Sequence, residues 1–130
     1  MPVRSLTSSV LRWPDASEVD RAIRRWALAL ATSQPVIEQV GYFGSYAQDA
    51  WGVGSDVDVV VVVTAAQQPF ERRASEWDTT SLPVPADLFV YTSEEWNALP
   101  LVSRAARTLK QETIWVYQRS EQGGSNFVAR

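Results

Sequence analysis

The sequence predicts an α/β domain, in which helices pack on a β-sheet. Along the 130 residues, segments with a helical period alternate with short apolar segments, in the order helix–strand repeated four times. Residues 59–63 are all valine, which is typical of a strand buried on both faces. Taken alone, this order of elements favours a parallel sheet.

The first helix has clear start and stop signals. Asp15 is the predicted N-cap and Glu18, three residues later, completes a capping box. The helix is expected to run to about Ala31, because Pro35 cannot continue it. Its apolar residues recur with the helical period and form the expected buried stripe: Val19, Ile23, Trp26, Ala27 and Leu30.

The later elements are placed by turn residues and apolar periods. They are a strand at 36–43, a short helix at 45–50, a strand at 56–63, a helix from 68 or 69 to about 77, a strand at 87–91, a helix opened by a capping box at 92–95, a last helix and a strand at 113–117. Pro100 separates the last two helices. The buried face predicted for the last helix is Val102, Ala105, Ala106 and Leu109.

Length and composition narrow the classes of function. We expect one domain over residues 1–130, with a core at about 15–118 and a flexible tail at 119–130. The chain contains no cysteine and no histidine, which excludes disulfides, thiolate metal sites and histidine bases. Any metal chemistry must therefore use carboxylates, the oxygen ligands that magnesium or manganese prefer.

Charge and hydropathy indicate where the protein acts. The net charge of −3 argues against a dedicated nucleic-acid binder, which usually carries a basic surface. The sequence contains no apolar run near the ~20 residues of a membrane span and starts without a secretory signal pattern. A cytoplasmic location without membrane contact is the expectation.

The chemistry is concentrated around Gly44 to Asp58. Asp56 and Asp58 open the valine strand, and alternate strand residues share a face, so their Cα atoms should lie roughly 6.5–7 Å apart. Two such acids repel each other unless a hard cation sits between them. Upstream, Gly44 and Ser45 close another strand, where free backbone N–H groups can cradle phosphate.

Gly44-Ser45, ten residues and then Asp56-Val57-Asp58 resembles the G-S-x10-D-x-D signature of the DNA polymerase β-like nucleotidyltransferases. The small size is most similar to their minimal group, MNT. This resemblance implies a nucleotidyltransferase fold with a mixed sheet. It also implies that Asp56, Asp58 and a third acid, Asp87, are catalytic and hold Mg²⁺ or Mn²⁺, while Gly44 and Ser45 bind the nucleotide phosphates.

The resemblance also implies a function. Its members transfer a nucleoside monophosphate, here expected to be AMP from ATP, to a hydroxyl acceptor. In the MNT group the usual partner is a HEPN-domain toxin, so the chain is expected to be an antitoxin that modifies a partner protein. Two alternatives stay open: a module that masks a HEPN-type partner without chemistry, and a small-molecule nucleotidyltransferase that acts as a homo-oligomer.

Two residues in the loop after Gly44-Ser45 depart from the family pattern. Gln48 stands where many relatives have arginine, and Asp49 stands where many have glycine. An acid at that place would add repulsion near bound phosphates. Trp51 is interpreted as covering the core in preference to stacking on a base.

Overall fold

A computed structural model describes residues 12–119 and the backbone of residues 125–127. Residues 1–14, which precede the predicted core, therefore lie mostly outside the described residues. Of the predicted tail, Arg119 ends a strand and residues 125–127 pair with that strand. The rest of the tail, and with it the prediction of flexibility, lies outside the described residues.

The described chain alternates helices and strands much as expected. In chain order the elements are α1 (Ala16–Ser33), β1 (Ile37–Phe43), β2 (Val57–Val63), α2 (Phe70–Arg73) with a 3-10 turn (Ala74–Glu76), β3 (Ala86–Thr92), α3 (Ser93–Asn97), α4 (Arg104–Glu112), β4 (Ile114–Arg119) and β5 (Ser125–Phe127). None of the described helices combines the length and apolar character that a membrane span needs.

The strands form one mixed five-stranded sheet in the order β3-β2-β1-β4-β5. Among the strand pairs of the described residues, β2 and β3 are parallel, and the β1–β2, β1–β4 and β4–β5 pairs are antiparallel. This confirms the mixed sheet and overturns the parallel sheet that the order of elements alone favours. The reason is the connection after β1. The short helix predicted at 45–50 is only a set of turns, so the chain folds back without a crossover helix.

The sheet has two differently covered faces. Val57, Val59, Val61 and Val63 of β2 belong to the main core, together with the apolar stripe of α1. The alternate residues Val60 and Val62 belong to a smaller cluster with Trp96 of α3. Because strand side chains alternate, Asp58 lies on the face of this smaller cluster.

The two longest helices begin at side-chain caps. Asp15 and Glu18 form the predicted capping box of α1, and the predicted stripe is buried or packed against the core. The buried face predicted for the last helix is only partly right. Ala106 is buried and Leu109 packs against the smaller cluster, but Ala105 is exposed. Val102 precedes α4 and is 90% exposed, because the helix starts only after the Ser103 cap.

Gly41 allows β1 and β4 to approach closely on the second face. A Cβ atom at Gly41 would lie 2.8 Å from the carbonyl oxygen of Ile114 and 2.9 Å from the ring of Trp115. The glycine therefore lets the Trp115 ring lie across β1, where it meets Trp96 edge-on at a centroid distance of 5.5 Å.

Candidate active site

The backbone brings the three predicted acids to one end of the β2–β3 strand pair. In the parallel β2–β3 pair, Asp58 and Asp87 are direct Cα partners, so they stand side by side on strands about 4.8 Å apart. Asp56 lies one residue before β2 and two before Asp58. Asp56 and Asp87 are exposed, whereas Asp58 is half-buried.

The charges of the three acids act on one another. The pKa of Asp58 is raised above its ordinary value of 3.8, first by burial, then by the negative charges of Asp87 and Asp56. In the described part of the chain, none of the three carboxylates forms an ion pair with an arginine or lysine. The site thus holds negative charge that no side chain within the described residues neutralises.

Gly44 lies directly against the central carboxylate. Its φ angle of +84° is in the left-handed region, and a Cβ atom there would lie 2.5 Å from Oδ2 of Asp58. A side chain at this position would therefore be strained and would also collide with the carboxylate. The Gly-Ser pair and the D-x-D pair of the sequence are thus in contact in space.

The loop after Gly44 is a set of turns held by short-range backbone hydrogen bonds. The N–H groups of Ala47 and Gln48 donate to the carbonyl of Gly44, and that of Ala50 donates to Ser45. The N–H groups of Ser45 and Tyr46, next to Gly44, take no part in these bonds, so a phosphate could use them as donors. This turn replaces the predicted helix N-terminus as the candidate phosphate cradle.

Tyr46 anchors this loop to the body of the domain. Its ring is buried in the main core, and its hydroxyl donates to the carbonyl of Pro14 while accepting from Nε1 of Trp13. Trp51 stacks on Tyr46 with the rings nearly parallel at a centroid distance of 5.7 Å. Trp51 is half-buried and packs against the main core, which agrees with its interpretation as core cover.

The two residues that depart from the family pattern have structural consequences. Gln48 donates through Nε2 to Oε1 of Glu112, the last residue of α4. Asp49 has a φ angle of +59°, a left-handed conformation that glycine adopts without strain. The backbone therefore explains why glycine suits position 49, and the side chain of Gln48 is bonded to α4.

The donor set suits a hard divalent cation, but the side chains do not converge on a single point. Carboxylate oxygens are the ligands that magnesium prefers. Across the described residues, however, no group of three or more acids is placed to hold one metal ion. The backbone juxtaposes Asp58 and Asp87; metal ligation by Asp56, Asp58 and Asp87 stays a prediction.

Fold and site together define a nucleotidyltransferase-type domain: a mixed sheet, a Gly-Ser turn, and paired acids on adjacent strands. The family model for the nucleotidyltransferase domain matches residues 23–116, which span β1 to β3 and every candidate site residue. The chain therefore belongs to the nucleotidyltransferase domain family. No curated protein matches the sequence.

Two solved structures share the fold. One is a candidate nucleotidyltransferase from Sulfolobus solfataricus, with a TM-score of 0.63 and 18% identity over 88% of this chain and 90% of that chain. The other is the toxin-antitoxin MntA-HpeT in a mutant form, with a TM-score of 0.51 and 18% identity over 75% of this chain and 73% of that chain. At this identity the likeness concerns the fold.

Sequence reasoning missed two contacts at the site. The Gln48–Glu112 bond joins residues that are far apart in the chain, and no local pattern predicts such a pair. The anchoring of Tyr46 by Trp13 and Pro14 is equally long-range. In both cases the partners are distant in the sequence, and single polar or aromatic residues are too common to serve as a signal.

Proposed function

We propose that this chain is a metal-dependent nucleotidyltransferase that moves AMP from ATP to a hydroxyl of a partner protein, as an MNT-type antitoxin. The observation that carries the proposal is the direct pairing of Asp58 with Asp87, with Gly44 against the Asp58 carboxylate. It unites the D-x-D pair, the third acid and the Gly-Ser turn in one place.

The residues would divide the work as follows. The Ser45 hydroxyl and the N–H groups of Ser45 and Tyr46 would bind the β- and γ-phosphates. Asp56, Asp58 and Asp87 would hold Mg²⁺ or Mn²⁺, which neutralises charge on the triphosphate when bound. Negative charge at Asp87 would favour loss of the proton from the acceptor hydroxyl.

The transfer itself is a substitution at the α-phosphorus. The acceptor oxygen forms a bond to that phosphorus, the bond to the bridging oxygen of the β-phosphate breaks, and pyrophosphate leaves. The protein contributes mainly position and charge compensation to such a step. A site with three carboxylates and no imidazole or thiol base suits this division of labour.

The partner is the second part of the proposal. One structure of the same fold is a toxin-antitoxin pair, and the resemblance to MNT proteins implies a HEPN-domain partner. A neighbouring gene for a small helical protein with an R-x4-6-H motif would support the antitoxin role. Transfer of AMP to a small molecule by the purified chain alone would instead favour the alternative of a small-molecule nucleotidyltransferase that acts as a homo-oligomer.

A masking module without chemistry is the second candidate, and the loop after Ser45 favours it. Gln48 stands in place of the common arginine and is bonded to Glu112, which leaves the loop one cation fewer for a triphosphate. Asp49 adds a negative charge in the same turn. Such a protein would bind its partner through the same fold without transferring AMP.

The test is transfer of label from α-labelled ATP to the purified partner, with magnesium present. We expect wild type to label the partner, and Asp56→Asn combined with Asp58→Asn to reduce labelling by at least about a hundredfold. Circular dichroism should show the double variant folded, because both acids lie at the open end of β2. Unchanged labelling would refute the enzyme, whereas tight binding of the partner without labelling by wild type would establish the masking module.

A further inference from the structure

Two half-buried phenylalanines border the acidic pair on the same face of the sheet. Phe43 ends β1 and is the Cα partner of Asp58. Phe89 follows Asp87 by two residues on β3 and is the Cα partner of Val60. Because side chains alternate along a strand, Phe89 shares the face of Asp87.

The two rings meet above β2. Their centroids lie 5.5 Å apart with an interplanar angle of 52°. Since β1 and β3 flank β2 on opposite sides, their backbones are about 9.6 Å apart, twice the spacing of neighbouring strands. Each ring must therefore lean inwards over β2. Together the two rings cover β2 between Asp58 and Val60.

This aromatic pair is not simply part of the interior. In the described chain, Phe89 belongs to neither buried cluster, whereas Tyr91, two residues further along the same strand, packs against the second one. Phe43 packs at the margin of that cluster and directly precedes the Gly44-Ser45 turn. Aromatic surface is thus left partly exposed beside the candidate phosphate cradle and the carboxylates, where a planar ligand would remove it from water.

We propose that Phe43 and Phe89 form an aromatic platform that binds a planar ring of a substrate beside the reacting phosphate. The proposal rests on the nucleotidyltransferase function proposed above and names the chemistry of one subsite. Stacking suits the position because every nucleobase, and any aromatic acceptor, presents a π face that an apolar ring can cover. The ring comes from the nucleotide base or from the acceptor, and two experiments separate these sources.

The first experiment measures binding of ATP and of inorganic tripolyphosphate, both with magnesium, by calorimetry. Phe89→Leu removes the ring but keeps an apolar side chain, and Phe89→Trp restores a ring. If the base occupies the platform, Phe89→Leu weakens ATP binding about tenfold and leaves tripolyphosphate binding unchanged. Phe89→Trp then restores ATP binding. The matched control is Phe70→Leu, since Phe70 is a 39% exposed phenylalanine whose ring lies tilted against Tyr91, and the change should affect binding of neither ligand.

The second experiment measures phenol against cyclohexanol by NMR titration in the presence of magnesium and ATP. If the acceptor ring occupies the platform, wild type binds phenol more tightly than cyclohexanol, and Phe89→Leu loses that preference. A change in either experiment supports the platform and identifies its source. If wild type binds ATP and tripolyphosphate but Phe89→Leu changes neither experiment, the platform is refuted while the proposed function stands. If wild type binds neither phosphate ligand, the proposed function fails and the platform with it.

Discussion

Two carboxylates at opposite ends of the β2–β3 pair have opposite surroundings. Asp58, at the start of β2, faces Asp87 and Asp56, and its pKa is raised by burial and by those two charges. Glu95 follows the end of β3. Its Oε1 accepts a hydrogen bond from Nη1 of Arg73 at 2.6 Å, and its Oε2 accepts one from Nη2 at 3.1 Å. The Arg73 bonds are the main reason that the pKa of Glu95 falls to about 2.

The difference separates an acid that joins elements of the fold from an acid that no cationic side chain neutralises within the described residues. Glu95 also accepts the backbone N–H of Thr92 and so completes the capping box of α3, while Arg73 donates to the carbonyl of Val90 on the edge strand β3. This ion pair joins α2, α3 and β3. Asp58 forms no ion pair among the described residues, and burial, followed by the charges of Asp87 and Asp56, favours its protonated form.

The largest expected effect is at the acidic end, where ATP binding should require magnesium or manganese. Three carboxylates and a triphosphate repel each other, so we expect ATP affinity to fall by at least about a hundredfold when the cation is removed. Calorimetry with magnesium and with EDTA measures this. Equal affinity under both conditions would remove the proposed metal role of Asp56, Asp58 and Asp87.

The next effect is at the opposite end, where Glu95→Ala should destabilise the protein. The change leaves the buried Arg73 without its carboxylate and removes half of the capping box. Because the Glu95 side chain is 42% exposed, solvent screens the pair, and we expect a loss of about 1–3 kcal/mol in the free energy of unfolding. Urea denaturation measures the loss.

Glu94→Ala is the matched control for this experiment. Glu94 is the exposed neighbour on α3 and forms no ion pair within the described residues, so its removal should change the free energy of unfolding by less than about 0.5 kcal/mol. Equal losses for Glu94→Ala and Glu95→Ala would show that the Arg73 pair contributes nothing specific.

The smallest effect is the pH dependence of Asp58, which should run opposite to that of Glu95. A raised pKa means that the folded state binds the proton more readily, so stability in EDTA should rise as pH falls through the folded pKa of Asp58. Asp58→Asn should abolish this rise and stabilise the protein at pH 7 by up to about 1 kcal/mol. Thermal denaturation across pH measures both.

Glu95 supplies the contrast. Because its pKa is lowered, its stabilisation is complete above the ordinary value of 4.5 and is lost as pH falls towards about 2. Glu95→Gln should remove this acid-side loss, whereas Asp58→Asn should leave it unchanged. If Asp58→Asn lowered stability in EDTA at pH 7, the carboxylate would be a structural group and the comparison would fail.

Several features of this protein were determined by local sequence. The capping residues Asp15 and Glu18 define the start of α1, and the period of its apolar residues defines the buried stripe. The interval from Gly44-Ser45 to Asp56-Val57-Asp58 predicts the nucleotidyltransferase family, and the family model confirms that prediction. Caps, periods and motif spacing depend on nearby residues, so they can be read directly from the chain.

Only the tertiary structure decided which segments meet. The turns at 45–50 return β2 antiparallel to β1, and the strand register sets Asp58 beside Asp87 and Gly44 against Asp58. Likewise, the rings of Phe43 and Phe89 meet only because their strands flank β2. Strand register and strand order depend on loop geometry and on packing across the whole sheet, so the sequence of a single segment does not predict them.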